Sequence, residues 1–202
     1  MTGAADTGAI RVLCISGSPR RHGNSDALLD ALVAGVEAAG GEPVRLVAAQ
    51  AGANPCRGCN ACSRDGRCIQ RDGMDAVYEL IDSADAVAVA TPVFFASVPG
   101  VLKVLLDRFQ PYWARRYVLG EPRPAHTRPG AILVVGGGGD PFGPGCATTA
   151  VKSAFAAIAV DSGTVLEVTG PDQPGDIASD AAALSRAQEL GRDLVERVRA
   201  LR

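Results

Sequence analysis

The sequence predicts an α/β fold in which one parallel sheet is covered by helices on both faces. Five short apolar runs alternate with five helical segments along the chain, the pattern of repeated β-α units. Runs such as 10–15 and 131–135 are apolar throughout, which is typical of strands buried on both faces. Small or polar residues follow the first, third and fourth runs at once. Because ligands bind beyond the carboxyl ends of such strands, these three loops predict a binding site.

The elements follow from the spacing of apolar residues. Apolar runs predict the five strands, at 10–15, 44–48, 86–90, 131–135 and 164–168. Apolar residues at helical spacing predict the five helices, at 26–39, 74–83, 98–110, 148–160 and 177–201. Segments 50–72 and 111–129 are expected to be irregular, and 169–176 to form a turn. We expect one domain over 10–202, with a cysteine-rich insertion at 54–72, after a disordered lead-in at 1–9.

Composition excludes several classes of protein. The 202 residues are 47% hydrophobic, enough for a packed core, and the net charge is −2. Such a charge gives no electrostatic footprint for nucleic acid or an anionic membrane. No apolar segment approaches the roughly 20 residues that span a bilayer, and residues 1–9 do not read as a signal peptide. The sequence therefore predicts a cytoplasmic protein, whose cysteines favour metal or redox use over disulfides.

The loop after the first strand has the character of a phosphate site. Ser16, Ser18 and Ser25 offer hydroxyls and Arg20 a guanidinium, just before a helix N-terminus with its exposed N–H groups. The motifs GxxxxGK[ST] and GxGxxG are both absent. A loop built from hydroxyls suits a terminal monophosphate, which points to a mononucleotide such as FMN. The alternative is a polar turn that binds nothing.

Four cysteines form the spacing C-x2-C-x2-C-x5-C, at Cys56, Cys59, Cys62 and Cys68. Four thiolates within so short a stretch suit a [4Fe-4S] cluster or a Cys₄ zinc site. The compact spacing favours the cluster, since structural zinc more often uses two separated pairs. Neighbouring arginines would stabilise the negative charge of such a cluster. A reduced, metal-free loop is the remaining alternative.

Two blocks of sequence carry a family resemblance. Gly-Ser-Pro-Arg at 17–20 is followed by Gly-Asn-Ser at 23–25, and the segment 91–103 reads Thr-Pro-Val-Phe-Phe-Ala-Ser-Val-Pro-Gly-Val-Leu-Lys, with Asp-Arg at 107–108. Together they resemble the NADPH-dependent FMN reductase family, and the cysteines resemble its iron–sulfur flavoprotein branch. The resemblance implies a flavodoxin-like fold with strand order 2-1-3-4-5.

The resemblance also implies roles for particular residues. Those expected to hold the FMN phosphate are Ser16, Ser18, Arg20, Asn24 and Ser25. Those expected to line the edge of the isoalloxazine ring are Pro92, Val93, Phe94 and Phe95, with Ser97 nearby. Those expected beneath the other side of the ring are Gly136, Gly137, Gly138 and Gly139. Phe94 stands where the family usually has tyrosine, so one hydroxyl is missing. No catalytic side chain is assigned, because flavin N5 carries the chemistry.

The function expected from these features is FMN-dependent oxidoreduction. NAD(P)H or a ferredoxin would reduce FMN, which would reduce a quinone, another small aromatic acceptor or oxygen, with the cluster relaying electrons. One alternative is an electron carrier between protein partners, and another is a redox or metal sensor. A homodimer or homotetramer is expected, with its seam near 109–117. Cys146 is read as a packing residue or a redox thiol at a helix N-terminus.

Overall fold

The computed structural model describes residues 8–139, 142–161 and 163–202. Its five strands form one parallel sheet in the order β2-β1-β3-β4-β5. The strands are β1 (Arg11–Ser16), β2 (Glu42–Val47), β3 (Ala86–Pro92), β4 (Gly130–Gly136) and β5 (Thr164–Thr169). The predicted fold class and strand order are confirmed. Most of the predicted lead-in, residues 1–7, lies outside the described residues.

Helices cover both faces of this sheet. They are α1 (Asn24–Ala38), α2 (Cys62–Asp65), α3 (Met74–Asp82), α4 (Gly100–Asp107), α5 (Gln110–Tyr117), α6 (Gly145–Ala157) and α7 (Ala181–Leu201). One core cluster joins α1 and α7 to the sheet, and the other joins α3, α4 and α6 to its opposite face. Within the described residues, no helix has both the length and the apolar character needed to cross a bilayer.

Helices α1 and α7 approach so closely that glycine is required where they cross. A Cβ atom at Gly35 would lie 1.9 Å from the carbonyl oxygen of Gln188. A Cβ atom at Gly191 would lie 2.0 Å from the carbonyl oxygen of Leu32. The backbones of α1 and α7 are therefore in direct contact where the two helices cross.

The predicted single helix at 98–110 is wrong, because the structure divides it at Arg108 into α4 and α5. The expectation of an irregular connection over 111–129 is correspondingly wrong for its first residues. Pro111 occupies the second position of α5, where its missing N–H leaves no helix hydrogen bond unmade. The last helix also starts later than predicted, at Ala181, with Asp180 as its N-cap. Residue 177 lies instead in the short 3₁₀ helix Asp176–Ser179.

Arg128 forms hydrogen bonds to three backbone carbonyls at the edge of the sheet where the strands begin. Its guanidinium donates to the carbonyl oxygens of Ala84 (3.0 Å) and Ile158 (2.6 Å), and also to that of Ile81. These carbonyls lie at or just beyond the ends of α3 and α6, where a helix has no internal donors left. Burial lowers the pKa of Arg128. Its role is structural, since it holds two helix ends together.

Candidate functional site

A cavity of about 150 Å³ lies at the edge where the strands end. Loops that follow β1, β3, β4 and β5 all contribute to its lining. The lining residues are Ser18, Arg20, Gly23, Asn24, Ser25, Pro92, Val93, Phe94, Val135, Gly137, Pro171, Asp172 and Pro174. Eight of these were predicted site residues, and seven of the eight lie within the segments 18–25 and 92–94. The convergence follows from the parallel sheet, because each loop leaves the same edge.

The loop after β1 is tied down by the first turn of α1. The buried Ser16 hydroxyl donates to one carboxylate oxygen of Asp26, and the backbone N–H of His22 donates to the other at 2.9 Å. Ser18 Oγ accepts the N–H of Arg20 at 3.0 Å. Ser16 therefore does not line the cavity, and its hydroxyl instead holds the loop in shape. Ser18, Arg20 and Ser25 remain facing the cavity.

Asn24 lines the cavity, but its amide is already occupied. Its Nδ2 donates to the carbonyl of Gln173 at 2.9 Å, and its Oδ1 accepts the N–H groups of Gly175 and Ile177 at 3.1 and 3.2 Å. Asn24 thus fastens the loop after β5 against the start of α1. The sequence predicts only a turn at 169–176, and Asp172 within it is not among the predicted site residues. The available signal was that β5 ends at the same edge as the other strands.

The loop after β3 makes a tight turn at the cavity. Phe94 and Ser97 exchange backbone hydrogen bonds of 2.8 and 3.0 Å. Phe95 and Ala96 between them have φ values of 49° and 57°, a region that non-glycine residues seldom adopt. The Phe95 side chain is fully exposed, and the Arg20 guanidinium lies 5.9 Å from the centre of the Phe94 ring. Backbone strain of this kind clusters at ligand-binding sites.

Of the four glycines predicted after β4 to lie at the site, one lines the cavity. Gly137 lines the cavity, and a Cβ atom there would lie 2.7 Å from Asp172 Oδ1. The other three, Gly136, Gly138 and Gly139, do not line it. Absence of a side chain at Gly137 therefore lets the loops after β4 and β5 approach each other.

Cys146 is exposed in the first turn of α6.

The four clustered cysteines line a second cavity, of about 230 Å³. Cys62 is buried, Cys68 is partly buried, and Cys56 and Cys59 are exposed. Burial raises the pKa of the Cys62 thiol, and the backbone N–H hydrogen bond partly opposes this. In the described part of the chain, no three His, Cys, Asp or Glu side chains are positioned to hold one metal ion. The sulfurs thus share a cavity without forming a single-ion site.

A buried ion pair closes the base of the cysteine loop. Arg108 donates to both carboxylate oxygens of Asp72, at 2.7 and 3.2 Å, and to the carbonyl of Asn54 at 2.8 Å. Asn54 in turn donates its backbone and side-chain N–H groups to Asp72 at 3.0 and 3.1 Å. The two ends of the insertion at 54–72 are therefore held together by one guanidinium from the α4–α5 junction.

This pairing shifts the titration of both partners. Hydrogen bonds from Arg108 hold the pKa of Asp72 well below its usual range, although burial opposes them. Burial lowers the pKa of Arg108, but hydrogen bonding to Asp72 and the negative charges nearby together outweigh burial, and the pKa lies above its usual range. Burial also raises the pKa of the neighbouring Tyr78 to about 12. All three groups keep their ordinary charge at neutral pH.

A sequence profile described as NADPH-dependent FMN reductase matches residues 10–167. The chain belongs to the NADPH-dependent FMN reductase family. As a member of this family, it is a flavin-dependent oxidoreductase, and the cofactor associated with the family is FMN. The predicted family is confirmed by this match.

Two similar proteins also support the predicted branch of the family. An iron–sulfur flavoprotein of Archaeoglobus fulgidus is 30% identical over 93% of this chain and 80% of its own length. An iron–sulfur flavoprotein of Methanocaldococcus jannaschii is 35% identical over 50% of this chain and 53% of its own length. Within the FMN reductase family, this chain therefore groups with the iron–sulfur flavoprotein branch.

Solved structures support the fold of this family member. The NAD(P)H:quinone oxidoreductase from Methanothermobacter marburgensis has a TM-score of 0.68 at 20% identity, covering 93% of this chain and 96% of that chain. The azoreductase from Bacillus anthracis has a TM-score of 0.65 at 18% identity, covering 91% and 99%. At these identities the likeness concerns the fold alone.

We predict that Asp72→Asn destabilises this reductase-family fold by about 3–5 kcal/mol at pH 7, because it leaves a buried guanidinium without its counter-charge. The pKa of Asp72 is lower in the folded chain than its unfolded value of about 3.9. The stabilisation is therefore present above about pH 4 and is lost as the pH falls toward the folded-state pKa. Urea unfolding at several pH values measures the difference.

The exposed carboxylate of Asp75, which pairs with exposed Arg71, provides the control. Asp75→Asn should change the free energy of unfolding by at most about 1 kcal/mol. Equal effects of the two substitutions, or an Asp72→Asn effect that is unchanged at pH 3, would contradict the prediction.

Proposed function

We propose that the cavity at the carboxyl edge of the sheet binds FMN and that the protein uses it to transfer electrons from NAD(P)H or a ferredoxin to a small acceptor. The observation that carries this proposal is the convergence of four strand-following loops on one cavity that contains an arginine, two serine hydroxyls and a helix N-terminus. Among the described residues, no carboxylate forms an ion pair with Arg20, so its charge is available to a ligand.

The phosphate would lie at the start of α1. Ser18, Arg20 and Ser25 line the cavity there, and the N–H groups of the first turn of α1 add the positive end of the helix dipole. The one carboxylate in this turn, Asp26, accepts hydrogen bonds from Ser16 and His22. Its charge is thus engaged away from the phosphate, which makes the loop suitable for an anion.

The size of the cavity limits which part of FMN it encloses. Its volume of about 150 Å³ is below the roughly 300–1,000 Å³ of typical small-molecule sites. The phosphate and ribityl chain fit such a volume, while the ring would extend over the mouth. Phe94 and the turn it begins border that mouth, and the fully exposed Phe95 next to it offers an apolar surface.

When bound, FMN would accept either two electrons from a hydride donor or single electrons from a protein donor. The chain's own residues bind and orient it. Gly137 would allow the backbone to approach a flat ring, and the 94–97 turn would lie at its edge. Neither binding nor orienting the flavin needs a side-chain acid or base. The proposal therefore assigns no catalytic side chain.

We also propose that the cysteine cavity holds a [4Fe-4S] cluster. Four thiolates around one cavity are the ligand set that such a cluster uses. The spacing C-x2-C-x2-C-x5-C is more compact than the two separated pairs that structural zinc sites commonly use. The names of the similar proteins support the same group.

A second candidate function is electron transfer between protein partners without a small-molecule substrate, and the exposed cysteines favour it. Cys56 and Cys59 lie at the surface, where a group they hold would be open to a partner protein. Rapid reduction of bound FMN by NADPH alone would support the reductase, and reduction only by a low-potential protein would support the carrier.

Homo-oligomers are proposed to form through the end of α5. Within the expected seam at 109–117, Phe109 is buried in the core and Tyr112 donates to Asp82, so neither side chain is proposed as part of the interface. The exposed apolar residues of this region are Trp113, Tyr117, Val118 and Leu119. Such a patch is typical of a protein interface.

We predict that Arg20→Ala raises the dissociation constant of FMN about tenfold to a hundredfold, because a hydrogen bond to a charged group contributes about 1.5–3 kcal/mol. Fluorescence titration of the flavin-free protein measures this. Arg21→Ala is the matched control, since Arg21 is exposed and does not line the cavity. Unchanged affinity in Arg20→Ala would mean that the phosphate binds elsewhere.

We predict that Cys59→Ser removes iron from anaerobically purified protein and leaves FMN in place, because the cysteine and flavin cavities are lined by different residues. Iron and flavin counts with an absorption spectrum measure this. Cys146→Ser is the control, because Cys146 is also exposed but outside the cysteine cavity. Full iron content in Cys59→Ser would refute the ligand assignment.

A further inference from the structure

We propose that Arg108 donates its Nε–H to a sulfur atom of the group that the cysteine cavity holds, and so sets the reduction potential of that group. This inference rests on the proposed [4Fe-4S] cluster. Arg108 would be a positioning and tuning residue, because it lies beside the four ligands without being one of them.

The first observation is a donor without an acceptor. The Arg108 side chain is 1% exposed. Among the side-chain nitrogen and oxygen atoms buried in the described part of the chain, Arg108 Nε alone has no hydrogen-bond partner. A buried donor without a partner destabilises the folded state, most of all when the group is charged. Buried polar groups in folded proteins are nearly always paired. The missing acceptor is therefore expected to come from outside the polypeptide.

The second observation is where this donor lies. Arg108 lines the same cavity as Cys56, Cys59, Cys62 and Cys68. The chain offers no carboxylate in the lining of that cavity. Its anionic atoms would be the thiolate sulfurs and, in a cluster, the sulfides. The side-chain amides of Asn60, Gln70 and Gln110 also line the cavity, but none of them accepts the Arg108 Nε–H. Sulfur is thus the charged acceptor that the cavity supplies.

The third observation is that the guanidinium cannot turn away. Asp72 and the Asn54 carbonyl hold its two terminal nitrogens, and the hydroxyl of Tyr78 donates to the Arg108 carbonyl at 2.8 Å. A guanidinium is planar, so fixing both terminal nitrogens also fixes the direction of Nε–H. The Asp72 pair that closes the cysteine loop therefore also orients the remaining donor.

Four other arginines of the loop differ from Arg108 in being exposed to solvent: Arg57, Arg64, Arg67 and Arg71. Arg57 also lines the cysteine cavity, and Arg71 donates to the carbonyl of Cys68 at 3.2 Å, but neither side chain is buried. Charges in solvent are screened within about 10 Å at ordinary ionic strength, whereas Arg108 is buried. Hydrogen bonds to cluster sulfurs and local charge are two of the protein's means of setting the potential of an iron–sulfur group. A buried donor stabilises the more negative, reduced state and raises the potential.

The test uses the protein purified anaerobically with its bound groups. Arg108→Lys keeps a cation that can pair with Asp72 but has no Nε–H. The midpoint potential of the cluster, followed by EPR during a redox titration, should fall by at least about 59 mV, a tenfold change in a one-electron equilibrium. The control, Arg64→Lys, should leave the potential unchanged, because Arg64 is exposed and does not line the cysteine cavity. A merely structural role would reduce iron content or stability without moving the potential of the clusters that remain.

A second measurement needs no substitution and covers the case in which Arg108→Lys fails to fold. In protein labelled with ¹⁵N at the arginine Nε, pulsed EPR of the reduced cluster should detect a weakly coupled ¹⁵N nucleus. Absence of that coupling, or its persistence in folded Arg108→Lys, would overturn the inference while leaving the cluster proposal intact. Protein that carries FMN but no iron would overturn the cluster proposal and this inference together.

Discussion

Parallel pairing of all five strands is the constraint on which the candidate site depends. In a parallel sheet every strand ends at the same edge, so loops far apart in sequence meet there. Side-chain hydrogen bonds then fix the loops that the sheet brings together. Asp26 holds the loop after β1, and Asn24 holds the loop after β5 across about 150 residues of sequence. Two residues of α1 therefore hold the loops on either side of the cavity.

Helix α4 connects the two candidate sites. Its N-terminal end follows the strained 94–97 turn at the flavin cavity, and its C-terminal end leads into Arg108 at the cysteine cavity. Eight residues of α-helix span about 12 Å. Arg108 ends α4, anchors Asp72 and lines the cysteine cavity. One short helix therefore lies between the two candidate sites.

The sequence predicted most of what local pattern can determine. Apolar runs located the strands, and the small-residue loops after them located the cavity. The cysteine spacing located the second cavity. These features depend on residues close together in the chain, where periodicity and turn chemistry are readable.

The features it missed depend on distant partners. Ser16 was expected at the phosphate, but its hydroxyl is used by Asp26. Asp172 was missed because only the folded sheet brings the loop after β5 beside Gly137. The break between α4 and α5 was missed because apolar spacing continues through it. Arg108 reads as an ordinary helix-end cation until its partner Asp72, 36 residues away, is known.

Hydrogen–deuterium exchange with and without FMN tests most directly whether the converging loops form the flavin site. A larger cavity, of about 330 Å³, lies near Arg128 at the opposite edge of the sheet and serves as an internal comparison. FMN should slow exchange in segments 16–25, 92–97 and 170–177 and leave segments 82–84 and 121–128 unchanged. Protection confined to the opposite edge, or absent from the three loops, would contradict the proposed site.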